Sequence, residues 1–307
     1  MSKARRYLVS GGAGFIGSHL VRRLVKEHGA DRVRVIDDLS SGKLENLAGL
    51  DVEVVQGNCA VGVNAGKAVA DIDTVFHLAA IPSVAKSVSS PLATQRSADV
   101  STLVMIDAAR RVGVQNFVLA SSCALYGHNA PPCHEGMLPD VLSPYAAAKL
   151  ASEAYLRAAC QVYGLKGASL RFFNVYGPNQ DPQGEYAAVI AKFLALAKAG
   201  QQPKIFGDGK QTRDFVHVDD VVNALMHFGE ADCQGEVVNV GTGRSVDLLD
   251  LVEVVRKVSD GTFEPSFAEA RAGDVRHSCA DVTKLRDAMS WQPKSLEEGV
   301  RALWQSS

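Results

Sequence analysis

Arg6-Tyr7-Leu8-Val9-Ser10-Gly11-Gly12-Ala13-Gly14-Phe15-Ile16-Gly17 is the stretch on which the fold turns. Arg6–Ser10 is a short apolar run that reads as a β-strand and ends in glycines. His19–His28 follows with helical apolar spacing at Leu20, Val21, Leu24 and Val25. A tight glycine turn between a strand and a helix lets backbone N–H groups approach a pyrophosphate, and the helix N-terminus adds partial positive charge. Glycine turns often do nothing but turn, so the context decides. Asp37 lies 20 residues past Gly17, at the end of the next β-rich run, where a carboxylate can accept hydrogen bonds from an adenosine ribose. The reading is a dinucleotide site formed by Gly11, Gly14, Phe15, Ile16, Gly17 and Asp37. A carboxylate there repels a 2′-phosphate, and Asp38 adds to the effect. Leu39-Ser40-Ser41-Gly42 offers no arginine to receive that phosphate, so NAD is preferred over NADP.

Outward from this turn, β-rich runs alternate with helical patterns. Strands are predicted at Val33–Ile36, Val52–Val55, Thr74–Leu78, Asn116–Ala120 and Ala168–Phe172. Helices are predicted at Ser101–Val112, Tyr145–Tyr163 (with Gly164 as its stop), Val189–Ala199 and Leu248–Ser259. The fold class is α/β, a Rossmann-type doubly wound parallel sheet with a smaller C-terminal α/β substrate lobe. Residues 1–178 read as the nucleotide-binding domain, with about 213–245 returning to it. Residues 179–307 read as the partly interleaved lobe.

The bulk properties exclude other classes. Of 307 residues, 47% are apolar and 21% charged, and the net charge is -2 without a long basic block, which argues against a nucleic-acid surface. No apolar run approaches the roughly 20 residues of a membrane helix. Ser10, Gly11 and Gly12 break the run after the basic N-terminus, which argues against a signal peptide. Six cysteines without a Cys-x-x-Cys pair read as reduced thiols in a cytoplasmic protein with no metal site.

Tyr145-Ala146-Ala147-Ala148-Lys149 puts a phenol and an ammonium on one face of a helix. The ammonium is expected to stabilise phenolate and lower the tyrosine pKa, making a usable base. Tyr145 lies 23 residues after Ser122, which is at the end of the fifth strand and is placed to share a substrate hydroxyl with it. Strand carboxyl ends are where open α/β sheets bind ligands.

Together these pieces resemble the extended short-chain dehydrogenases/reductases, the NAD-dependent epimerase/dehydratase family, over essentially the whole chain. The matching segments are Gly-Gly-Ala-Gly-Phe-Ile-Gly at 11–17, Asp-Asp-Leu-Ser-Ser-Gly at 37–42, His-Leu-Ala-Ala at 77–80 and Ser-Ser-Cys-Ala-Leu-Tyr-Gly at 121–127. Further matches are Ser-Pro-Tyr-Ala-Ala-Ala-Lys at 143–149, Arg-Phe-Phe-Asn-Val-Tyr-Gly-Pro at 171–178, the segment 207–220 and Arg-Ala-Gly-Asp-Val-Arg-His-Ser at 271–278. The resemblance implies a Ser122/Tyr145/Lys149 catalytic set, tightly held NAD and a nucleotide diphosphate-sugar substrate. It implies cofactor contacts also from Asp38, Leu39, Ser40, Ser41, Gly42, Asn58, Cys59, Leu78, Ala79, Ala80, Asp99, Tyr145, Lys149, Phe172 and Phe173. For the substrate it implies Ser122, Tyr145, Asn174, Ala188, Val189, Ile205 and Phe206. Arg213 and Arg271 fall on the diphosphate, Asp274 on the nucleotide ribose and Ser278 at the position that gates the sugar C2 substituent.

In the related dehydratases an Asp-Glu pair works over C5 and C6; those positions are Cys123 and Ala124 here, and alanine cannot transfer a proton. A GDP-fucose synthase-like cysteine lies two residues before the tyrosine, whereas Cys123 lies three before Tyr126. What remains is 4-epimerisation through a transient 4-keto sugar and bound NADH. The expected reaction is UDP-glucose to UDP-galactose, and the small Ser278 leaves space for N-acetylated hexoses. A UDP-glucuronate or other nucleotide-sugar 4-epimerase is the alternative within enzymes. A non-catalytic NAD-binding regulator is the alternative outside them, against which retention of Ser122, Tyr145 and Lys149 weighs.

Two positions depart from the family pattern. Gly57-Asn58 replaces Gly-Asp beside the adenine amino group, where the Asn58 amide oxygen can still accept a hydrogen bond, and the helix after it lacks its usual charged opening. Asp99 replaces an asparagine that supports the cofactor pocket. The family likeness also implies a homodimer through a four-helix bundle of 101–112 and 145–163, with Leu103, Val104, Ile106, Leu150 and Tyr155 as contributors.

Overall fold

In the computed structural model, which describes residues 5–181, 189–270 and 275–306, the first strand, β1 (Tyr7–Ser10), is buried at all four positions. It turns into α1 (Phe15–His28), which opens at Gly14 rather than near His19 because the glycines that precede its apolar face carry no periodicity. The chain continues through β2 (Val33–Asp37), β3 (Glu53–Gln56), α2 (Gly62–Val69), β4 (Thr74–His77), α3 (Val84–Ser89), α4 (Pro91–Gln95) and a single π turn at Arg96–Val100. Then come α5 (Ser101–Val112), β5 (Asn116–Ser122), α6 (Pro144–Tyr163), β6 (Lys166–Phe172), β7 (Asn174–Tyr176), α7 (Val189–Lys198), β8 (Lys204–Phe206), β9 (Thr212–Arg213) and β10 (Phe215–His217). The remainder is α8 (Val218–Glu230), β11 (Gln234–Val240), β12 (Val246–Asp247), α9 (Leu248–Ser259), β13 (Ser266–Ala268), α10 (Thr283–Ala288) and α11 (Leu296–Ser306).

Two compact units result. The first comprises Met1–Leu125, Val141–Arg171 and Val222–Val238; the second comprises Tyr126–Asp140, Phe172–Val221 and Asn239–Ser307. By sequence, 126–140 falls in the nucleotide-binding domain. The Asn239 side chain draws that segment into the second unit: its Nδ2 donates to the carbonyls of Cys133 (2.8 Å) and Asp281 (3.1 Å), and its Oδ1 accepts from the Tyr126 hydroxyl (2.7 Å).

The first unit holds a seven-stranded sheet in the order β3-β2-β1-β4-β5-β6-β11, parallel across β3–β2, β2–β1, β1–β4 and β4–β5. This is the Rossmann-type doubly wound arrangement expected, with the strand order reversing between β1 and β4. α6 is set by local signals. The Ser143 hydroxyl accepts from Ala146 N–H (3.1 Å), Pro144 occupies the first turn and Gly164 closes the helix in the left-handed region at φ 68°. Between these ends Ala148, Ser152, Leu156, Ala159 and Cys160 repeat at helical spacing and are buried. α2 forms despite Gly62 and Gly66 because Ala65, Ala68 and Val69 bury fully and the helix packs against α5. Ile106 belongs to this core, with Met105, Phe117, Leu119 and Leu156, so it is corrected from an interface residue to a core residue. Leu103 and Tyr155 are exposed, whereas Val104 packs against the core and Leu150 is half-buried.

The second unit has its own core around Tyr176, Ile190, Phe193, Ile205, Leu251 and Phe263, and contains three two-stranded sheets, β10–β7, β12–β9 and β13–β8. Among the described residues, no helix is long and apolar enough to cross a membrane.

Leu156 is fully buried, and its methyls lie where a side chain at Gly167 would begin. Leu156→Ala is expected to lower stability by about 2–5 kcal/mol through lost burial and an unfilled cavity, read as a lower midpoint in denaturant unfolding. An unchanged midpoint would show that α6 does not depend on this contact.

Candidate active site

The glycine turn is built for close approach. Gly11 sits at φ 69°, and a Cβ there would come within 2.9 Å of the Ala79 backbone. A Cβ at Gly17 would lie 2.1 Å from the Gly11 carbonyl oxygen. α1 starts at Gly14 with no side chain capping it, so the turn presents backbone N–H groups and the positive end of the helix. Asp37 is buried at the end of β2, where Oδ2 accepts from Ala13 N–H (3.0 Å) and Oδ1 from Leu39 N–H (2.9 Å). Burial pushes its carboxyl above the usual range, against those two amides. Leu39 holds a left-handed backbone at φ 59°, uncommon for a branched side chain. Ser40 and Ser41 are exposed beside it, and Gly42 is buried against the Asp37 carboxylate. Asp38 Oδ1 accepts from Ser40 N–H (3.0 Å), and its Oδ2 accepts from Asn58 Nδ2 (2.8 Å). The Asn58 amide oxygen is already engaged by Ala60 N–H (2.8 Å). An amide at 58 therefore pairs with Asp38, where an aspartate would have set two carboxylates side by side. Cys59 is buried, which pushes its thiol up to about 12.

At the neighbouring strand end, the Ser10 hydroxyl accepts from the N–H groups of Leu78 (3.1 Å) and Ala79 (3.2 Å). Its own proton is thereby directed to Nδ1 of His77 (2.7 Å), which leaves the ring proton on Nε2, facing Ser101 Oγ at 3.4 Å. Burial, helped by the Lys149 charge, lowers His77 to about 3, so this imidazole is neutral. Ala80 is half-buried on the same loop. Asp99 is buried in the π turn, and its Oδ1 has no hydrogen-bond partner among the described residues.

Ser122, Tyr145 and Lys149 come together at the carboxyl end of β5. The Ser122 hydroxyl accepts from Ala124 N–H (3.1 Å) and lies close enough to Tyr145 to favour its ionised form. Lys149 Nζ lies 5.9 Å from the Tyr145 ring centroid and donates to the Ala120 carbonyl (2.7 Å). The expectation that the ammonium sets the acidity of Tyr145 is corrected here. Burial is the larger effect and pushes the phenol up to about 12, opposed by Ser122. Tyr145 therefore holds its proton at neutral pH until a further positive charge or a strong acceptor reaches it.

In the second unit, Arg213 Nη1 donates to the carbonyls of Thr212 (2.8 Å) and Arg276 (3.3 Å), and Ser278 N–H donates to Thr212 O (3.1 Å). Arg213 and Ser278 thus sit on adjacent segments. Asn174 pairs through its N–H with Asp214 O (2.9 Å), Val189 opens α7, Ile205 packs in the core and Phe206 is half-buried. Phe172 and Phe173 are buried in this unit. Ala188, Arg271 and Asp274 lie outside the described residues. Among the described residues, no group of His, Cys, Asp and Glu is placed to hold a metal ion.

Residues 7–241 match the model of the NAD dependent epimerase/dehydratase family. The chain belongs to that family. Its relatives put this epimerase with the UDP-sugar 4-epimerases. It is similar to the UDP-glucose 4-epimerase of Mycolicibacterium smegmatis, 41% identical over 305 residues that cover 96% of each chain. Among solved structures it is similar to a UDP-N-acetylglucosamine 4-epimerase from Methanobrevibacter ruminantium M1 in complex with UDP-N-acetylmuramic acid (TM-score 0.93, 36% identity, 99% of this chain and 98% of that one). It is also similar to the Thermotoga maritima UDP-glucose 4-epimerase with UDP-glucose (TM-score 0.92, 39% identity, 98% and 97%). NAD is the cofactor of the family, and the side-chain-free cradle at Gly11 and Gly17 fits a pyrophosphate.

The sequence reading missed several residues of this epimerase. His77 and Arg171 stood inside quoted motifs without a role, Glu153 continues the spacing of Tyr145 and Lys149, and Asp214 follows Arg213. Asp214 is fully buried and accepts from Thr242 N–H and Oγ1, Gly243 N–H and Ala280 N–H, at 2.6–3.1 Å.

Burial lowers Lys149 to about 8, with the Glu153 charge working in the opposite direction. The ammonium is present below that pH and is lost above it. Turnover is expected to fall as pH rises through about 8, read from kcat against pH; a profile flat well past that point would remove Lys149 from the reaction.

Proposed function

We propose that this epimerase interconverts UDP-glucose and UDP-galactose and also accepts the N-acetylated pair. The observation that carries the reading is the grouping of Ser122 and Tyr145 beside Lys149 at the end of β5, with Ala124 where other reactions of the family need a proton-transfer group. NAD, when bound, supplies a positively charged ring that accepts and returns a hydride at C4. Tyr145 takes the proton of the sugar 4-hydroxyl, and Ser122 holds that hydroxyl in line. The Lys149 ammonium and the positive charge of that cofactor ring together favour the phenolate, the form of Tyr145 that accepts the proton. Tyr145 returns the proton once the 4-keto sugar presents its other face, so no further acid or base is required. Asp37 and Asp38 favour NAD over its 2′-phosphorylated form. Arg213, with Arg271 and Asn174, holds the diphosphate, since guanidinium forks match phosphate oxygens; Asp274 holds the nucleotide ribose. The proposal includes a homodimer through α5 and α6, to which the exposed Leu103 and Tyr155 contribute.

Incubation with a panel of UDP-sugars and chromatography of the products tests this reading. UDP-galactose is expected from UDP-glucose without net NADH, and Tyr145→Phe is expected to lower that rate by about 10²–10⁴-fold. Steady NADH accumulation would make the enzyme a dehydrogenase, and unchanged turnover in Tyr145→Phe would sink the mechanism.

Ser278 sets the breadth of the pocket in this reading. An N-acetyl group needs free volume at C2, and a tyrosine at 278 would fill it. Ser278→Tyr is expected to reduce activity on UDP-N-acetylglucosamine by roughly 5–150-fold, the equivalent of about 1–3 kcal/mol of overpacking, while sparing UDP-glucose. Equal activity on both sugars in variant and wild type would show that Ser278 does not line the pocket.

A further inference from the structure

Tyr145, Lys149 and Glu153 lie one helical turn apart on α6, and three consecutive residues of β5 receive them. Ser122 interacts with Tyr145, the Ala120 carbonyl accepts from Lys149 Nζ, and the Ser121 hydroxyl donates to Glu153 Oε1. From β6, Arg171 closes on Glu153 with two parallel hydrogen bonds, Nε to Oε1 (2.9 Å) and Nη2 to Oε2 (2.8 Å). Lys149, Glu153, Arg171 and Ser121 are all buried.

A buried ion pair is a poor route to stability, because apolar side chains of the same volume pack as well without losing hydration. The placement of this one supplies another reason for it. Glu153 is one turn below Lys149 on the same buried face, and it is locked by donors from two strands, so its charge cannot swing away. We propose that Glu153 is a positioning residue for the reaction: clamped by Arg171 and Ser121, it holds the Lys149 side chain at the end of β5 in its charged form. The proposal rests on the reading of Tyr145 and Lys149 as the catalytic pair.

The other ionisable groups on elements packed against α6 do not do this. His77 on β4 is neutral, and Arg171 on β6 repels a cation. Asp99 on the π turn is buried, but the field that raises Lys149 comes from Glu153. Lys86 on α3 and Asp107, Arg110 and Arg111 on α5 lie at the surface.

The test is the pH profile of kcat for the intact NAD-loaded enzyme, with bound NAD measured alongside. Glu153→Gln keeps the volume and removes the charge, so the high-pH limb is expected to move to lower pH by about 1 unit or more, as for loss of a close opposite charge. Glu153→Asp, which keeps the charge, is expected to bring the limb back toward wild type. Glu153→Gln leaves the Arg171 guanidinium buried without its carboxylate. If that variant does not fold, Glu153→Gln with Arg171→Met removes both charges and is expected to move the limb in the same direction by a smaller amount, because the Arg171 repulsion is removed as well. A limb unmoved in the folded variant, with only stability or the level of kcat reduced, overturns the proposal and makes the pair structural. The two readings separate cleanly. Wild-type turnover in Tyr145→Phe overturns the catalytic pair, whereas an unmoved limb in an enzyme that Tyr145→Phe inactivates overturns only the role of Glu153.

Discussion

The first turn of α1 sits directly on the end of β1, and position 17 has no room for even a methyl group. A Cβ there would meet the Gly11 carbonyl oxygen at 2.1 Å and Gly12 Cα at 2.8 Å. That contact aims the helix N-terminus at the edge of the sheet, and the surrounding loops are bonded to the result. Gly11 N–H donates to Ile36 O (2.8 Å), Lys43 N–H and Asn46 Nδ2 both donate to Ala13 O, and Asp37 takes the Ala13 and Leu39 amides. The turn after β1 and the loop after β2 therefore form one hydrogen-bonded piece. Asp37 acts as its anchor, besides facing a ribose in the proposed function.

A second constraint is the polarity of the inner face of α6. Above Leu156 the helix carries Tyr145, Lys149, Ser152 and Glu153 inward, and each meets a partner: Ser122, the Ala120 carbonyl, Thr102 or the Ala148 carbonyl, and Ser121 with Arg171. Buried groups of this kind are tolerable only when their bonds are complete. The helix is consequently held at one height against β5, and the relative positions of the three site residues follow from that.

Much of this was legible in the residues, and the rest was not for identifiable reasons. β1, β2, β4 and β5 showed as short apolar runs because they are central strands buried on both faces, and α5 and α9 showed because apolar spacing repeats cleanly over 12 residues each. The start of α1 and the existence of α2 were obscured by glycines whose helical state is imposed by packing. The glycine turn with its acid, and the Ser-Tyr-Lys set, are local patterns and could be named residue by residue. The acidity of Tyr145 could not, because it depends on how deeply the phenol is buried, and no spacing encodes that. The same holds for pairs that only the fold brings together, such as Asp38 with Asn58 and Glu153 with Arg171, whose members lie 20 and 18 residues apart.

Asp214 has a consequence for how the second unit moves. One carboxylate collects amides from the loop at Thr242 and Gly243 and from Ala280, on segments far apart in the chain. None of those amides can be released to solvent while the others stay bonded without leaving a desolvated charge short of donors. These two segments and the one carrying Asp214 are therefore expected to open together, so that native-state hydrogen exchange at Thr242, Gly243 and Ala280 would share one opening. Arg213, next to Asp214 in the chain, inherits this stillness: its backbone is fixed by a neighbour that never meets the substrate.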